Sequence, residues 1–265
     1  MRLYDSHNHL QDERFAGRQE TCVAEAEQRG VVRMVVNGCC EADWPRVQAL
    51  ASAHPMVLPS FGYHPWHVKD RTVDWQANLV SVLDESRGAI GEIGLDRWIP
   101  DPDLPQQEEA LCWQLRLAAE RNLPASIHCL RAWGRLEELL RSEPRPARGF
   151  LLHSYGGPSE MVMPLARLGA YFSFSGYFLH ERKSRARDTF RHVPRERLLI
   201  ETDAPDQPLP DRRILAALTD PTTGQPINHP ANLPAVYTGL AEFLGEPVET
   251  LAETVEQNFI RLFLS

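Results

Sequence analysis

The feature that most constrains this chain is a unit that recurs from one end to the other: a short apolar run, a polar turn and then an amphipathic segment. One such run, residues 31–37, contains four valines and is typical of a strand buried on both faces. The segment 106–121 instead places Leu111, Leu115 and Ala118 on one stripe at helical spacing. Strands that alternate with helices over about 250 residues predict an α/β fold of the (β/α)8 type, the TIM barrel.

The predicted elements cover most of the chain. The eight predicted strands are residues 2–6, 31–37, 57–62, 89–94, 124–128, 150–153, 170–174 and 198–201. The predicted helices are residues 17–29, 43–53, 74–84, 106–121, 132–141 and 161–168, followed by two that close the chain over 236–244 and 251–262. Pro164 is compatible with its helix only in the first turn. Residues 204–232 contain six prolines and predict an irregular loop over the barrel mouth, with a short helix at 211–218.

An open, doubly wound sheet is the alternative architecture for the same order of elements. Its nucleotide-binding version carries Gly-x-Gly-x-x-Gly after a strand, and this chain has no such motif. A length of 265 residues suits one barrel. We therefore predict a single domain over residues 1–265.

Charge and cysteine content limit the partners and the compartment. The net charge of -8 argues against a broad coating of nucleic acid, which needs excess Lys and Arg, but not against a local cationic or metal-binding pocket. The five cysteines form no Cys-x-x-Cys pair and are odd in number, so a secreted disulfide framework is not expected. No apolar run approaches the roughly 20 residues of a membrane helix. We expect a cytoplasmic monomer that does not contact membranes.

Polar side chains stand where the predicted strands end, which in a barrel is where active sites are built. His7 and His9 are two residues apart, so on a strand both imidazoles point to one face. Carboxylates and further histidines follow at four other strand ends. The complete set is His7, His9, Glu92, His128, His153 and Asp203.

Imidazole nitrogens and carboxylate oxygens suit divalent cations such as Zn, Mn or Mg. We assign His7, His9, Glu92 and Asp203 to a first metal. Glu92, His128 and His153 are assigned to a second, with Glu92 as the bridge. Two ions about 3.5 to 4 Å apart would lower the pKa of a shared water and clamp attacking and leaving oxygens. The pattern thus predicts hydrolysis by a hydroxide that the two metals activate, with Glu92 and Asp203 as catalytic residues.

Each position also has an ordinary structural explanation. His128 or His153 alone is more often a core histidine hydrogen-bonded to the backbone. Glu92, between two glycines, is compatible with a turn, and Asp203 with a helix cap or an Asx turn. Six such coincidences at five strand ends are improbable together, which favours the metal site.

Motifs spread along the whole chain carry a family resemblance. They are Asp5-Ser6-His7-Asn8-His9, Phe61-Gly62-Tyr63-His64-Pro65, Gly91-Glu92-Ile93-Gly94-Leu95-Asp96, the histidines 128 and 153, Ser173-Phe174-Ser175-Gly176, Leu199-Ile200-Glu201-Thr202-Asp203-Ala204-Pro205 and Asn258-Phe259-Ile260-Arg261-Leu262-Phe263. In this order they resemble the TatD family of metal-dependent deoxyribonucleases, within the amidohydrolase-like barrels. The resemblance implies a TIM barrel, two divalent metals on the six residues above, and phosphodiester hydrolysis, commonly exonucleolytic on single-stranded DNA.

Several positions outside the predicted ligands depart from the family pattern. Arg97 stands where an aromatic residue is common, and Leu130 where an arginine is common. Arg131 follows directly and keeps a cation near this place. His64, just past the third strand, is the other predicted contact for a substrate phosphate; the alternative is that it belongs to an exposed aromatic loop, with Trp66 and His67, that packs on itself.

Two further features bear on substrate binding. Trp98, Trp133 and Tyr177 are candidates to stack nucleobases at the rim. The segment 182–197 is rich in arginine and is compatible either with a solvated helix face or with a surface that tracks phosphates.

The leading hypothesis is therefore a phosphodiesterase whose partner at the barrel mouth is DNA or another phosphodiester. An amidase or lactonase for small molecules would use the same metals with a different pocket lining. A non-catalytic protein on a retained barrel is the third possibility, and an intact ligand set disfavours it.

Overall fold

The computed structural model describes residues 1–86 and 88–265 of the chain. Eight parallel strands form one sheet in the order of the sequence. Their bounds are β1 Leu3–Asn8, β2 Val31–Asn37, β3 Val57–Phe61, β4 Ala89–Asp96, β5 Ala125–Leu130, β6 Phe150–Leu152, β7 Ala170–Ser175 and β8 Leu198–Glu201. A helix follows each strand, so the single-domain (β/α)8 barrel predicted from the sequence is confirmed.

The nine described α-helices lie outside the sheet. Their bounds are α1 Gln19–Gln28, α2 Trp44–Ala53, α3 Trp75–Glu85, α4 Leu104–Arg121, α5 Trp133–Ser142, α6 Val162–Arg167, α7 Ser184–Thr189, α8 Leu233–Leu244 and α9 Val248–Phe259. Among the helices of the described residues, none is long and apolar enough to cross a bilayer.

Helix α4 shows how the sequence sets an element and its packing. The Asp103 side chain accepts a hydrogen bond from the Gln106 amide at 3.1 Å and caps the first turn. Asn122, in the left-handed conformation with φ 49°, ends the helix. The predicted stripe of Leu111, Leu115 and Ala118 is buried against the barrel.

Three of the strands that carry candidate ligands continue beyond their predicted ends. Strands β1, β4 and β5 each run two residues further, because polar residues such as Asn8 and Asp96 still pair with the neighbouring strand. Gly94 of β4 lies opposite His128 of β5, and a Cβ at position 94 would clash with the His128 carbonyl oxygen. Glycine at this position therefore lets the two strands approach closely.

The first and last strands of the barrel are held together at their C-terminal ends. The Asp203 amide donates to the His7 carbonyl at 3.0 Å, and the His9 amide donates to the Ala204 carbonyl at 2.7 Å. Asp5 is fully buried and accepts from the amide and the hydroxyl of Thr202, at 2.9 and 2.6 Å. These bonds bring candidate ligands from opposite ends of the chain together.

The proline-rich segment 204–232 crosses the barrel mouth as predicted, but the helix predicted at 211–218 is wrong. Only a 3-10 turn, Asp211–Arg213, forms there, and Leu218–Thr219 pairs as strand β9 with Pro226–Ile227 as β10. Asn232 Oδ1 accepts from the amides of Leu215 and Ala216, at 2.9 and 2.8 Å. A helix would need these two amides for its own backbone hydrogen bonds. Because they bond to the side chain of Asn232 instead, the segment is extended rather than helical.

Candidate metal centre

The six predicted ligands surround one point at the C-terminal end of the barrel. His7 lies in β1 and His9 just after it, Glu92 in β4, His128 in β5, His153 directly after β6 and Asp203 two residues after β8. Glu92 is buried with 2% exposure, although it is a carboxylate. A buried carboxylate of this kind needs compensating charge.

The first cluster consists of His7, His9, Glu92 and Asp203. The two imidazole Nε2 atoms lie 3.2 Å apart. Glu92 Oε2 is 3.4 Å from His7 Nε2 and 3.2 Å from His9 Nε2. Asp203 Oδ1 lies 3.7 and 3.5 Å from the same two nitrogens. This is the set that the sequence assigned to the first metal.

The second cluster lies on the other oxygen of Glu92. Oε1 is 3.2 Å from His128 Nδ1 and 2.9 Å from His153 Nε2. These two nitrogens are 3.2 Å apart. Since each carboxylate oxygen faces a different cluster, Glu92 has the geometry of a bridge between two cations.

Outer hydrogen bonds determine which ring nitrogens are free to bind a cation. His9 Nδ1 lies 2.8 Å from the carbonyl oxygen of Asn37 and must donate to it, which leaves Nε2 with its lone pair. His128 Nε2 faces the Asp96 carboxylate at 3.2 Å, which leaves Nδ1 free. His153 Nδ1 faces Glu201 Oε1 at 3.5 Å. In His9 and His128 the free nitrogen is the one that points into the cluster, as in metal-binding histidines. His153 also directs Nε2 into its cluster, but its Nδ1 makes no hydrogen bond among the described residues.

His64 lies beside the second cluster, but the nitrogen that it directs there carries a proton. Its Nδ1 accepts a hydrogen bond from the Trp66 amide at 3.2 Å. Burial lowers the pKa of His64 to about 4, so the ring is neutral and its proton is on Nε2. That nitrogen lies 3.4 Å from Glu92 Oε1. His64 is therefore a hydrogen-bond donor at the site rather than a ligand.

The donor set fits a pair of divalent cations. Within each cluster two imidazole nitrogens face each other at 3.2 Å, a distance at which lone pairs repel unless a cation lies between them. Burial alone would raise the pKa of Glu92, but the histidines around it, led by His64 and His153, hold that pKa well below its usual value. Burial raises the pKa of Asp203 to about 8. Bound cations would supply the positive charge that both carboxylates need.

Two carboxylates that face ligand histidines from outside the clusters, Asp96 and Glu201, were not predicted as site residues. Asp96 lies four residues after Glu92, and Glu201 lies two residues before Asp203. Side chains on a strand repeat on one face with period two. Glu92, Gly94 and Asp96 therefore share a face of β4. Applied as it was to His7 and His9, that periodicity identifies Asp96 but not Glu201, because Asp203 lies beyond the end of β8.

A thiol also lies near the first cluster, where the sequence indicated none. Cys39 Sγ is 3.7 Å from His9 Nδ1, and the side chain lines the same cavity. Burial raises the pKa of Cys39 to about 12, so the group is a thiol rather than a thiolate at neutral pH.

The clusters form the floor of a cavity of about 910 Å³. Three of its lining side chains are aromatic, namely Trp66, His67 and Tyr177. Acidic residues also line it, namely Asp12, Glu13, Asp43, Asp206 and Asp220, together with Arg14 and Arg46. The lining therefore combines aromatic rings with more acidic than basic side chains.

The candidate stacking residues have different environments. Trp98 is 60% exposed, and the Arg131 guanidinium stacks on its ring at 3.5 Å. Trp133 packs against Tyr155 with ring centroids 4.7 Å apart and does not line the cavity. Tyr177 does line it, with Lys183 Nζ 4.5 Å from its ring.

Most of the arginines in the segment 182–197 are engaged within the fold. Arg187 and Arg191 lie over the ring of Phe243, and Arg195 pairs with Glu246 at 2.6 Å. Arg182 and Lys183, by contrast, lie against Tyr177 at the cavity. Helix α7 covers only Ser184–Thr189 of this segment, and the first two residues of the segment contact a residue that lines the cavity.

Comparison with known proteins agrees with this geometry. The model of the TatD related DNase family matches residues 4–264. A Pantoea ananatis protein named 3'-5' ssDNA/RNA exonuclease TatD is 32% identical over 265 residues, which are 98% of this chain and 99% of that protein. The Escherichia coli K12 protein named uncharacterized metal-dependent hydrolase YjjV is 30% identical over 265 residues, 99% of this chain and 98% of the relative.

Solved structures show the same fold. The crystal structure of Escherichia coli YjjV, a TatD homolog, superposes with a TM-score of 0.89 at 29% identity and covers 99% of this chain and 98% of its own. A TatD family hydrolase from Entamoeba histolytica superposes with a TM-score of 0.83 at 17% identity, covering 100% of this chain and 98% of its own. The chain therefore belongs to the TatD related DNase family, and it is a metal-dependent hydrolase that acts on ester bonds.

Proposed function

We propose that this protein is an exonuclease that hydrolyses phosphodiester bonds in single-stranded DNA at a dinuclear metal site. The observation that carries the proposal is the pair of ligand clusters that share Glu92, with one carboxylate oxygen facing each. The similarity to a relative named 3'-5' ssDNA/RNA exonuclease supports the choice of substrate.

The ligands that would hold the two ions are the six residues predicted from the sequence, and the ions would be Zn, Mg or Mn. When bound, such ions lower the pKa of water and stabilise charge on the attacking and leaving oxygens. Glu92 would hold the spacing between the clusters. Asp203, whose Oδ1 faces the first cluster, would accept the proton of the attacking water.

Two further side chains would contact phosphates of the substrate. His64 presents an Nε2 proton beside Glu92, at a position where it would donate to an oxygen of the scissile phosphate. Arg131, stacked on Trp98, would offer its charge to a neighbouring phosphate at the rim. Trp66 and Tyr177, which line the cavity, would stack nucleobases of the substrate.

The remaining features of the proposal concern the whole protein. We propose that residues 1–265 act as one hydrolase domain, as a monomer, in the cytoplasm. Size-exclusion chromatography with light scattering would measure the oligomeric state.

The test is hydrolysis of an end-labelled single-stranded oligonucleotide with Mg, Mn or Zn by the wild type and by Glu92→Ala and Asp203→Ala. We expect product formation by both variants to fall to background while their circular dichroism spectra stay native. Glu138→Ala, on the exposed surface of α5, is the matched control and should keep full activity. Wild-type rates in either site variant would refute the proposed site.

A substrate panel separates the proposal from its alternative. The wild type is assayed on single-stranded DNA, RNA, neutral amides and lactones under the same metal conditions. Hydrolysis of amides or lactones without hydrolysis of nucleic acid would refute the proposed substrate but not the proposed metal chemistry. The absence of both bound metal and hydrolysis would favour a non-catalytic protein.

A further inference from the structure

Asp203 is held from outside the ligand clusters by a short chain of hydrogen bonds. Gln207 Nε2 donates to Asp203 Oδ2 at 2.6 Å. The Ser154 hydroxyl donates to Gln207 Oε1 at 2.8 Å. Gln207 is half-buried and lines the cavity. No ligand cluster includes Gln207 or Ser154, and neither was a candidate from the sequence.

The orientation of the Gln207 amide follows from its partners. As the ligand of a cation, Asp203 is an ionised carboxylate that only accepts hydrogen bonds, and the amide nitrogen of Gln207 is the atom that faces it. The amide oxygen then faces Ser154, whose hydroxyl is free to donate. With Oδ2 engaged in this way, Oδ1 is the oxygen of Asp203 left to face His7 and His9.

All three members of the chain have an unfavourable backbone conformation. Ser154, Asp203 and Gln207 have φ angles of 43°, 54° and 52°, and they are three of the six non-glycine residues with positive φ among those described. Such conformations persist where the surrounding structure enforces them, and they concentrate at functional sites. Here the same three residues are also linked to one another through their side chains.

The surrounding bonds fix this conformation on both sides. The Asp206 amide donates to the Asp203 carbonyl at 2.8 Å, and Asn228 Nδ2 donates to the Gln207 carbonyl at 3.3 Å. On the other side, the Ser154 amide donates to Ser173 Oγ at 3.1 Å. Gln207 is thus presented to Asp203 from a rigid turn.

We propose that Gln207 is a positioning residue for Asp203, and that Ser154 sets the orientation of the Gln207 amide. The inference rests on the proposed metal site. The amide holds the carboxylate in the rotamer that directs Oδ1 to the first cluster, where it lies 3.5 Å from His9 Nε2. Without the donor, the carboxylate is free to rotate, and both its place as a ligand and its reach towards the attacking water are lost.

The decisive variant is Gln207→Glu, which keeps the shape of the side chain and replaces its donor by an acceptor. Isothermal titration calorimetry of metal-free protein with Mn²⁺ measures affinity independently of catalysis. We expect Gln207→Glu and Gln207→Ala to weaken binding at one site by about 10- to 100-fold, the usual effect of losing such a partner. On single-stranded DNA, kcat should fall while KM stays within about twofold.

Ser154→Ala provides a second, milder test because the residue does not touch Asp203. We expect a smaller loss of Mn²⁺ affinity, and no further loss when Ser154→Ala is added to Gln207→Ala, because the two act through one chain. Gln225→Ala, in the same proline-rich segment, is the matched control. The exposed side chain of Gln225 has no described hydrogen bond, so the Mn²⁺ affinity of this variant should equal that of the wild type.

The outcomes separate this inference from the proposed function. Mn²⁺ affinity of Gln207→Glu within twofold of the wild type, in a protein with native melting temperature, overturns the role of Gln207. Additive losses in the double variant overturn the role of Ser154. If the wild type binds Mn²⁺ but cleaves no nucleic acid, the proposed exonuclease activity is refuted. The Mn²⁺ affinities of the wild type and of Gln207→Glu still test the role of Gln207 in that case. A wild type that binds no metal overturns both.

Discussion

Asp96 connects a candidate ligand to the surface that would receive the substrate. Its Oδ2 accepts from the indole N–H of Trp66 at 2.6 Å and faces His128 Nε2 at 3.2 Å. Its Oδ1 accepts from the Trp98 amide at 2.6 Å. A single buried carboxylate therefore fixes the tautomer of His128 and the positions of two exposed tryptophans.

We predict that Asp96→Asn weakens metal binding at the second cluster by about 10- to 100-fold, because an amide no longer provides a charged acceptor for His128. Metal content after dialysis, measured by atomic emission, reports the change. Asp101→Asn is the matched control, since Asp101 is exposed and pairs only with Lys69. Equal metal retention in both variants would contradict the role given to Asp96.

At the scale of elements, the 3-10 turn Pro65–Asp70 after β3 carries the most prominent aromatic surface of the cavity. Trp66 is 59% exposed, yet its ring is fixed by the bond to Asp96 and lies edge-on to His64 at 5.1 Å. An exposed ring that cannot rotate loses little entropy when a flat partner stacks on it. For the proposed substrate, the turn would offer a preformed surface to a nucleobase next to the second cluster.

We predict that Trp66→Ala raises KM for single-stranded DNA by fivefold or more, since stacking of one base contributes about 1 to 3 kcal/mol. An oligonucleotide with abasic sites near its scissile end has nothing to stack, so the same variant should leave its KM unchanged. Trp66→Phe keeps an aromatic ring, so its KM for normal single-stranded DNA should lie between those of the wild type and Trp66→Ala. Equal KM increases on both substrates would show that Trp66 acts on the site itself rather than on the base.

Prediction of elements from the sequence succeeded where the local pattern and the tertiary contacts agree. The stripe in α4 and the valines of β2 are local, and both elements formed as predicted. The helix predicted for residues 211–218 is wrong because two amides of this segment bond to Asn232, a partner that no local pattern reveals. The same limit applies at the site: residue types and strand ends identified the ligands, but Gln207 acts across a turn, and its contact depends on the fold of the mouth.

At the scale of the whole molecule, the candidate ligands come from five strands that span most of the chain. His7 and Asp203 are nearly 200 residues apart, and the barrel brings Nε2 of the first within 3.7 Å of Oδ1 of the second. Cations bound at this point link the first strand, the middle strands and the last strand. Metal binding is therefore expected to stabilise the complete fold rather than one part of it.

We predict that removing metal with a chelator lowers the melting temperature by several degrees. A ligand present at 100 times its Kd stabilises the native state by about 2.7 kcal/mol, and the effect disappears with the ligand. Differential scanning calorimetry with and without chelator measures the shift. Glu92→Gln, which lacks the bridging charge, should show little or no shift, and a similar shift in this variant would indicate metal bound elsewhere.

The bonds that join β1 to β8 have a consequence for synthesis of the protein. The ribosome makes His7 among the first residues, but the amide of Asp203 reaches the His7 carbonyl only after the last strand has been made and has docked. A nascent chain therefore holds histidines without the carboxylate that completes their set. Hydrolytic activity is expected to appear only upon completion of the barrel, so unfinished chains should carry no active nuclease next to the messenger from which they are translated.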